Sequence, residues 1–496
     1  MPWEVCPRAD RSLDLSTEAS LAPGVPDAAE CALASRASHD PGSVALSWDR
    51  GRMSYGEMNR RVEEFASRVR AMGVARGAAV AISAPPSPRT VAALFGARRA
   101  GCVAAPLHEG LAPEELEYAR RLVNPSLHYD NYGLHSVAFD GVARGGSRDF
   151  ASFPDVAVAI LTSGSSAAPK AVALTGRSLA ASANAVASRL GLSSGDRWGL
   201  CLSLGHIGGF SVLERAVATG ASVCLWPSFD AGVVTQALMQ GEVTHLSVVP
   251  VMLRRIMERI GTGRPPTTLR CVLVGGAGAP TSLLEEAWEV GLPVATTWGM
   301  TETASQVASA PPALARSRPG TAGPPLAGTE VRCDSAGRLL ARGPTLAAAL
   351  ARRPGVAAEP LPLDREGWFA TGDVGRVDDE GLVWVEGRAD DMILSGGLNV
   401  SPSQVECVIQ ELDGVSDAVV FGVPDEEWGQ VVAAVVEADS HLVDADGVDR
   451  HCRRRMARGR CPTRIVVVDE LERTQTGKVV RAGLEERMAV AAGGGR

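Results

Sequence analysis

The ten cysteines of this 496-residue chain form no C-x-x-C pair and no metal-ligand spacing. That excludes a zinc ribbon or a disulfide framework and suits reduced thiols in a cytoplasm. Positive charge is also in short supply: 49 Lys and Arg stand against 57 Asp and Glu, a net charge of −8. The chain therefore has no general attraction for nucleic acid or an anionic membrane, and any phosphate site must be local. No segment approaches the roughly 18 apolar residues of a membrane span. The stretch from Met1 to about Cys31 lacks the basic run and apolar core of a signal peptide. There is no internal repeat. What remains is an ordinary globular composition in a chain long enough for two or more domains of roughly 100 to 200 residues each.

Periodicity places the elements. Ser54 precedes Glu57 by three residues, a capping box, ahead of Met58, Val62, Phe65, Val69 and Met72 on one helical face, with Gly73 as the stop. Apolar runs at 78–82, 103–106, 156–161, 221–226, 245–249 and 270–274 read as buried strands, and turn residues and helical patterns come between them. Alternation of this kind predicts an α/β fold with parallel sheets covered by helices. From about Ala310 the texture changes to Gly and Pro turns with short alternating runs at 330–333, 338–341 and 382–386, which predict a small antiparallel subdomain. A further shift near residues 388–391 precedes a second cap made by Ser401, Pro402 and Gln404, then strands at 418–422, 431–437 and 464–468. The division read here is a large N-terminal domain over 1–388, a connector over 389–391 and a smaller α+β domain over 392–496.

Four segments carry chemistry. Residues 161–170, Leu-Thr-Ser-Gly-Ser-Ser-Ala-Ala-Pro-Lys, follow a predicted strand and combine hydroxyls, small residues and an ammonium. Such a loop either wraps a phosphate or is a polar surface turn. Residues 296–303, Thr-Thr-Trp-Gly-Met-Thr-Glu-Thr, lie at the C-terminal end of a strand, where α/β sheets bind ligands. There Trp298 can stack on a purine, Thr301 can bond a phosphate and Glu302 can hold Mg²⁺. A buried tryptophan at a strand end would account for Trp298 but not for the carboxylate. Asp373 and Arg388 offer an acceptor and a forked donor, which suits the two hydroxyls of a ribose. The alternative is an exposed ion pair worth about 0–1 kcal/mol. Lys478, in Arg-Thr-Gln-Thr-Gly-Lys, is on its own a solvated lysine.

Taken together and in this order, from about residue 40 to about residue 485, these segments resemble the adenylate-forming superfamily of acyl-CoA synthetases, peptide-synthetase adenylation domains and luciferases. Residues 269–307 and 387–406, with His206-Ile-Gly-Gly-Phe and the run Val-Thr-His-Leu-Ser-Val-Val-Pro ending at Pro250, are most similar to the o-succinylbenzoate-CoA ligases and related acyl-CoA synthetases. The resemblance implies an ATP-dependent acid–CoA ligase. Its substrate would be a carboxylic acid of bulky aromatic or polycyclic kind, from menaquinone or secondary-metabolite (antibiotic) synthesis, taken through an acyl-adenylate to the CoA thioester. ATP or acyl-AMP, CoA and Mg would be its cofactors. The subdomain would be β-barrel-like, and the C-terminal domain would be mobile about a hinge at Asp390.

Residue by residue, the resemblance places Thr162, Ser163, Gly164, Ser165, Ser166 and Lys170 on the β- and γ-phosphates of ATP. Gly275, Gly276, Ala277 and Trp298 would enclose adenine, with Gly299 also at the nucleotide, Thr301 on the α-phosphate and Glu302 on the metal. Asp373 and Arg388 would take the ribose, and Lys478 would be the adenylation lysine. Gly397, in the 395–398 loop, would line the pantetheine tunnel, where glycine lets a thin thiol chain pass close to backbone. His206 would either gate the acyl pocket or be a satisfied core histidine. Arg453, Arg454, Arg455, Arg458 and Arg460 either meet the phosphates of CoA or form a solvated helix face.

The chain departs from the family's phosphate loop at two glycine positions, which here are Ala167 and Ala171. If either needs a left-handed backbone, alanine costs about 1–2 kcal/mol. With a displaced hydrogen bond, the ATP step would slow by roughly a hundredfold. The thioester step needs none of those contacts, so one alternative is an enzyme that only thioesterifies an acyl-adenylate supplied by a separate adenylating enzyme. Others are an acyl-AMP ligase that loads a carrier protein and a non-catalytic adenylate-binding protein. Retained Lys478, Glu302 and Asp373 speak against the last.

Overall fold

A computed structural model describes residues 28–83, 85–137, 150, 152–153, 155–162, 169–425, 428–473, 479 and 484. Ser163, Gly164, Ser165, Ser166 and Ala167 of the phosphate loop, and Lys478, lie outside the described residues.

The first predicted helix forms at Tyr55–Ala71. Ser54 caps it, its Oγ accepting from the Glu57 N–H at 3.2 Å. The reciprocal half of the capping box is replaced: the Glu57 carboxylate goes to Arg61 at 2.7 Å. Met58, Val62, Phe65 and Val69 are buried. Gly96 of the Pro88–Arg99 helix lets the two helices close up, since a Cβ there would lie 2.8 Å from the Phe65 Cβ. Met72, expected on the buried face, is 38% exposed, because the helix ends before it and Gly73 turns the chain at φ +69°.

Two eight-stranded sheets build the large N-terminal part. One runs in spatial order Ser305–Ala310, Val294–Met300, Cys271–Val274, His245–Val248, Arg197–Leu200, Ser222–Leu225, Val44–Trp48, Gly51–Ser54. The other runs Glu359–Pro360, Ala349–Ala351, Lys170–Thr175, Val156–Thr162, Val103–Pro106, Ala79–Ile82, Leu127–Asp130, Gly133–Ser136. Parallel pairing holds through the middle of each, but the outer pairs are antiparallel. The sheets are therefore parallel at their centres, as expected, and mixed overall through antiparallel outer pairs. Strands joined by short connections, such as Val294–Met300 to Ser305–Ala310, have no room for a crossover helix and must fold back as hairpins. One apolar core draws on both sheets and on helices Pro88–Arg99 and Ile207–Thr219, with Phe95 and Phe210 fully buried.

A four-stranded antiparallel sheet follows, in order Glu330–Cys333, Arg338–Arg342, Phe369–Val377, Val383–Arg388. Beyond the 3₁₀ turn Ala389–Asp391 lies a five-stranded sheet with its own core of Val405, Ile409, Val420, Val436 and Val448. Ser401 caps the Pro402–Gln410 helix through the Gln404 N–H at 3.4 Å. Ser403 Oγ donates to the Glu386 carbonyl at 3.0 Å, tying this helix to the preceding sheet. Among the described residues, no helix is long and apolar enough to cross a membrane.

Candidate active site

The hairpin Val294–Met300 to Ser305–Ala310 carries the centre of the site at its tip. Met300 pairs with Ser305, and the connection is a 3₁₀ turn over Thr301–Thr303 followed by Ala304 at φ 51° and Ser305 at φ 109°. Two successive non-glycine residues at positive φ cost of order 1–3 kcal/mol each and persist only where their surroundings hold them. Part of that hold is Thr303, whose Oγ1 lies 3.0 Å from the Met300 carbonyl and 3.1 Å from the Ser305 carbonyl. Gly299 is required by space: a Cβ there would sit 1.9 Å from the Ser305 carbonyl oxygen. The wound tip presents Thr301 and Glu302, both buried.

Glu302 Oε1 lies 2.5 Å from Lys170 Nζ. Lys170 opens its strand opposite Thr162, whose Oγ1 is buried and has no hydrogen-bond partner. Sequence motifs singled out each of these three residues; that a lysine and a carboxylate from different sheets meet is new. An ammonium, a carboxylate and an orphaned hydroxyl at one spot fit a phosphate and its divalent cation.

A second group lies alongside. Asp373 and Arg388 are cross-strand partners. Arg388 Nη1 donates to Asp373 Oδ1 at 2.9 Å, and Trp298 Nε1 donates to Oδ2 at 2.8 Å. The Asp373 N–H donates to Thr371 Oγ1 at 3.1 Å, and that hydroxyl donates to the Leu339 carbonyl at 2.8 Å. Asp373 is only 7% exposed, while the Arg388 side chain is 45% exposed. The pair is thus not the fully exposed one of the alternative reading. Burial holds the Asp373 carboxyl above the usual carboxylate range, opposed by the bonds from Trp298 and Arg388 and reinforced by the Glu302 charge. Trp298 packs among Val307, Ala322, Leu339 and Val383, so besides any face it offers a purine it anchors the carboxylate, a role the sequence did not suggest. Gly276, at φ +82°, and Ala277 are exposed at the rim, and Gly275 passes so close to Thr297 that a Cβ would meet its methyl at 2.7 Å.

His206 is half-buried at the start of the Ile207–Thr219 helix, its ring centroid 5.1 Å from that of His108. Gly205 makes this approach possible, because a Cβ there would lie 2.8 Å from the His108 N. Ser203 Oγ donates to Glu109 Oε2 at 2.9 Å, fastening the same two loops. His108 and Glu109 escaped sequence reading; the available signal was an imidazole and a carboxylate directly after the buried strand Val103–Pro106.

Gly396 and Gly397, at φ 54° and 82°, form the two-residue turn between Ile393–Ser395 and Leu398–Val400, the hairpin geometry that needs positive φ at both positions. Asp390 is exposed in its 3₁₀ turn. Among the described residues no hydrogen bond or ion pair joins Gly397 or Asp390 to the Glu302 or Asp373 groups. Arg453 and Arg455 are paired with Asp449 at 2.7 Å and Glu411 at 2.5 Å, as in a solvated helix face. A separate group of metal-ligating side chains, His128, Asp130 and His135, sits in the edge hairpin, but the ring nitrogens of His128 are already 2.9 Å from Arg120 Nη2 and Ser83 Oγ.

The concern over Ala171 is corrected. It lies in the regular strand Lys170–Thr175, paired with Leu161 and Ala351, wholly buried and not at positive φ. No left-handed penalty arises there.

The chain matches the AMP-binding enzyme family over residues 33–138 and 146–357, and the AMP-binding enzyme C-terminal domain over residues 404–478. It belongs to the AMP-binding enzyme family, in the class of ATP-dependent, adenylate-forming acid–CoA ligases. Among individual proteins it is 31% identical over 485 residues to a 2-succinylbenzoate–CoA ligase of Geobacillus sp. strain WCH70, covering 92% of this chain and 96% of that protein. Its fold matches the o-succinylbenzoate coenzyme A synthetase of Bacillus subtilis in complex with the acyl-adenylate intermediate, with a TM-score of 0.82 at 28% identity over 93% of this chain and 98% of that one. The same Bacillus enzyme with ATP and magnesium ion gives 0.80 at 28% identity over 92% and 99%.

Proposed function

We propose that this chain activates a bulky aromatic carboxylic acid with ATP and passes the acyl group to CoA, using the two residue groups described above. The observation that carries the reading is the convergence of Lys170, Glu302 and the orphaned Thr162 hydroxyl beside the buried Asp373 carboxylate and its partner Arg388. In the first half-reaction a carboxylate oxygen of the acid attacks the α-phosphorus of ATP and pyrophosphate leaves. Lys170 and Thr162 bind the departing phosphates, Thr301 the α-phosphate, and Asp373 with Arg388 the ribose. Glu302 would hold Mg²⁺, which supplies charge neutralisation on the phosphate oxygens. Lys478, by its place in the family motif, is assigned to the carboxylate and α-phosphate, where it would offset developing negative charge. In the second half-reaction the CoA thiolate attacks the acyl carbon and AMP leaves, with Gly397 beside the pantetheine path and Asp390 as the hinge between the two states. His206, with His108, would form one wall of the acyl pocket. An aromatic acid is favoured by similarity to relatives that act on 2-succinylbenzoate.

The test is CoA-thioester formation followed by mass spectrometry over a panel of aryl acids that includes 2-succinylbenzoate. Each is offered as free acid with Mg-ATP and free CoA, and as synthetic acyl-adenylate with CoA. Thioester by both routes is expected. Product from the adenylates alone would overturn the ATP half of the reading and require a separate adenylating enzyme. No thioester with free CoA by either route would overturn the whole of it.

A further inference from the structure

Arg215 lies deep in the large N-terminal part, on the Ile207–Thr219 helix, and is 1% exposed. Its Nη2 donates to Ser211 Oγ at 2.8 Å and to Ser305 Oγ at 3.1 Å. The guanidinium carbon sits 5.0 Å from the centroid of the Trp198 ring, a cation–π contact. Nε and Nη1 are buried without a hydrogen-bond partner. Its chain neighbour Glu214 is taken by Arg98 in a separate buried ion pair. Arg215 is therefore a cation whose hydrogen bonds all go to neutral hydroxyls.

Such a charge is expensive to keep. Removing a cation from water costs several kcal/mol even after relaxation, and buried ionic groups are often replaced by apolar ones at no loss of stability. Filling this space would ask only for a methionine or leucine. Burial pushes the guanidinium down to about 9, which leaves it charged at neutral pH. The charge must be retained for something its hydrogen bonds do, and those bonds reach one particular place. Ser305 is the residue at φ 109° that closes the strained turn behind Thr301 and Glu302, and Ser211 Oγ lies 3.3 Å from the same hydroxyl. Thr303 holds the turn from within, and the Arg215–Ser211 couple holds it from the core.

We propose that Arg215 is a positioning residue for Glu302: by clamping Ser305 it fixes the strained tip that aims the Glu302 carboxylate at the nucleotide's metal. The inference rests on the assignment of Glu302 to Mg-ATP made above. It predicts a split between ligands that need Glu302 and ligands that do not. Adenosine uses the Asp373–Arg388 group and neither the metal nor Thr301, which shares the tip with Glu302; Mg-ATP uses all of them.

The experiment compares the full chain with Arg215→Met, Arg215→Lys and Ser305→Ala, measuring dissociation constants for Mg-ATP and for adenosine by calorimetry, with thermal midpoints alongside. Arg215→Met should weaken Mg-ATP by roughly 10- to 100-fold, the usual effect of losing a residue that orients a metal ligand, and leave adenosine binding unchanged. Arg215→Lys should recover part of the loss. Ser305→Ala keeps Arg215 in place and should reproduce the split, so the proposal stays open to refutation even if Arg215→Met does not fold. Equal weakening of Mg-ATP and adenosine in step with a lower midpoint would make Arg215 merely structural and overturn the proposal. Unchanged Mg-ATP affinity would do the same. Wild-type protein that binds adenosine but not Mg-ATP would instead refute the assignment of Glu302 on which the proposal stands.

Discussion

Lys170 and Glu302 meet at 2.5 Å although they belong to different sheets, one at the start of a strand in the second eight-stranded sheet and the other at the tip of an edge hairpin in the first. The contact sets up a competition, because a cation that binds Glu302 must take the carboxylate from Lys170. A hydrogen bond to a charged group contributes about 1.5–3 kcal/mol.

Lys170→Met should therefore strengthen binding of Mn²⁺ alone by roughly tenfold, since about 1.4 kcal/mol is a factor of ten. The same variant should weaken ATP, whose phosphates lose a cationic partner. Electron paramagnetic resonance of Mn²⁺ and calorimetry with ATP check the two effects separately. Weaker Mn²⁺ binding in the variant would show that Lys170 does not compete for Glu302.

Asp373 ties nucleotide binding to stability with opposite signs. Burial raises its carboxyl in the folded protein, so the native state holds that proton more tightly than the unfolded chain. The stability this contributes is present below the unfolded value of about 3.9 and is lost as pH rises through the raised folded value. Above that value the ionised carboxylate costs stability. Asp373→Asn should then have a thermal midpoint at neutral pH equal to or above the parent's, an advantage that disappears below about pH 4. AMP binding should fall by roughly 10- to 100-fold, the worth of a charged hydrogen bond. A lower midpoint at neutral pH would mean that the bonds from Trp298 and Arg388 outweigh the burial.

These pairings explain what could be read in advance and what could not. Ser54 and Ser401 are legible as caps because a cap is a local bond within three residues. The motif residues Thr301, Glu302, Asp373 and Arg388 are legible because their chemistry is concentrated in short segments. Their partners are not. Trp298 reaches Asp373 across the boundary of two sheets, and the Asp373–Arg388 register depends on an irregularity between Val374 and Gly375. Arg215 on a mostly apolar helix carries no periodic signal at all. The mixed pairing of the sheets was hidden because a buried antiparallel strand and a buried parallel one have the same apolar sequence.

Gly205 offers a test of the acyl side that leaves the nucleotide side alone. A Cβ at that position would push against the His108 backbone at 2.8 Å, and backbone cannot yield as a flexible side chain can. Gly205→Ala should shift His108 away from His206 and raise the KM for the acid several-fold, since a displacement near 1 Å costs as much as roughly a hundredfold in well-oriented reactions. The KM for ATP should not change. Steady-state kinetics with each substrate varied in turn separates the two, and parallel changes in both would place the His108–His206 contact outside the acyl pocket.

Of the two altered phosphate-loop positions, Ala171 is the one the structure describes. Its side chain is wholly buried in a strand interior, paired with Ala351 on one side and Leu161 on the other. A glycine there would gain no backbone freedom that the native conformation uses, while the unfolded chain would gain a great deal. Glycine in a strand interior costs roughly 0.5–1 kcal/mol relative to alanine, and the lost methyl adds to that. Ala171→Gly should accordingly lower the thermal midpoint and leave ATP-dependent pyrophosphate release at the parent rate per folded molecule. Faster release would mean that this methyl restrains the loop that follows Thr162, and would return weight to an enzyme whose ATP half-reaction is impaired by its own sequence.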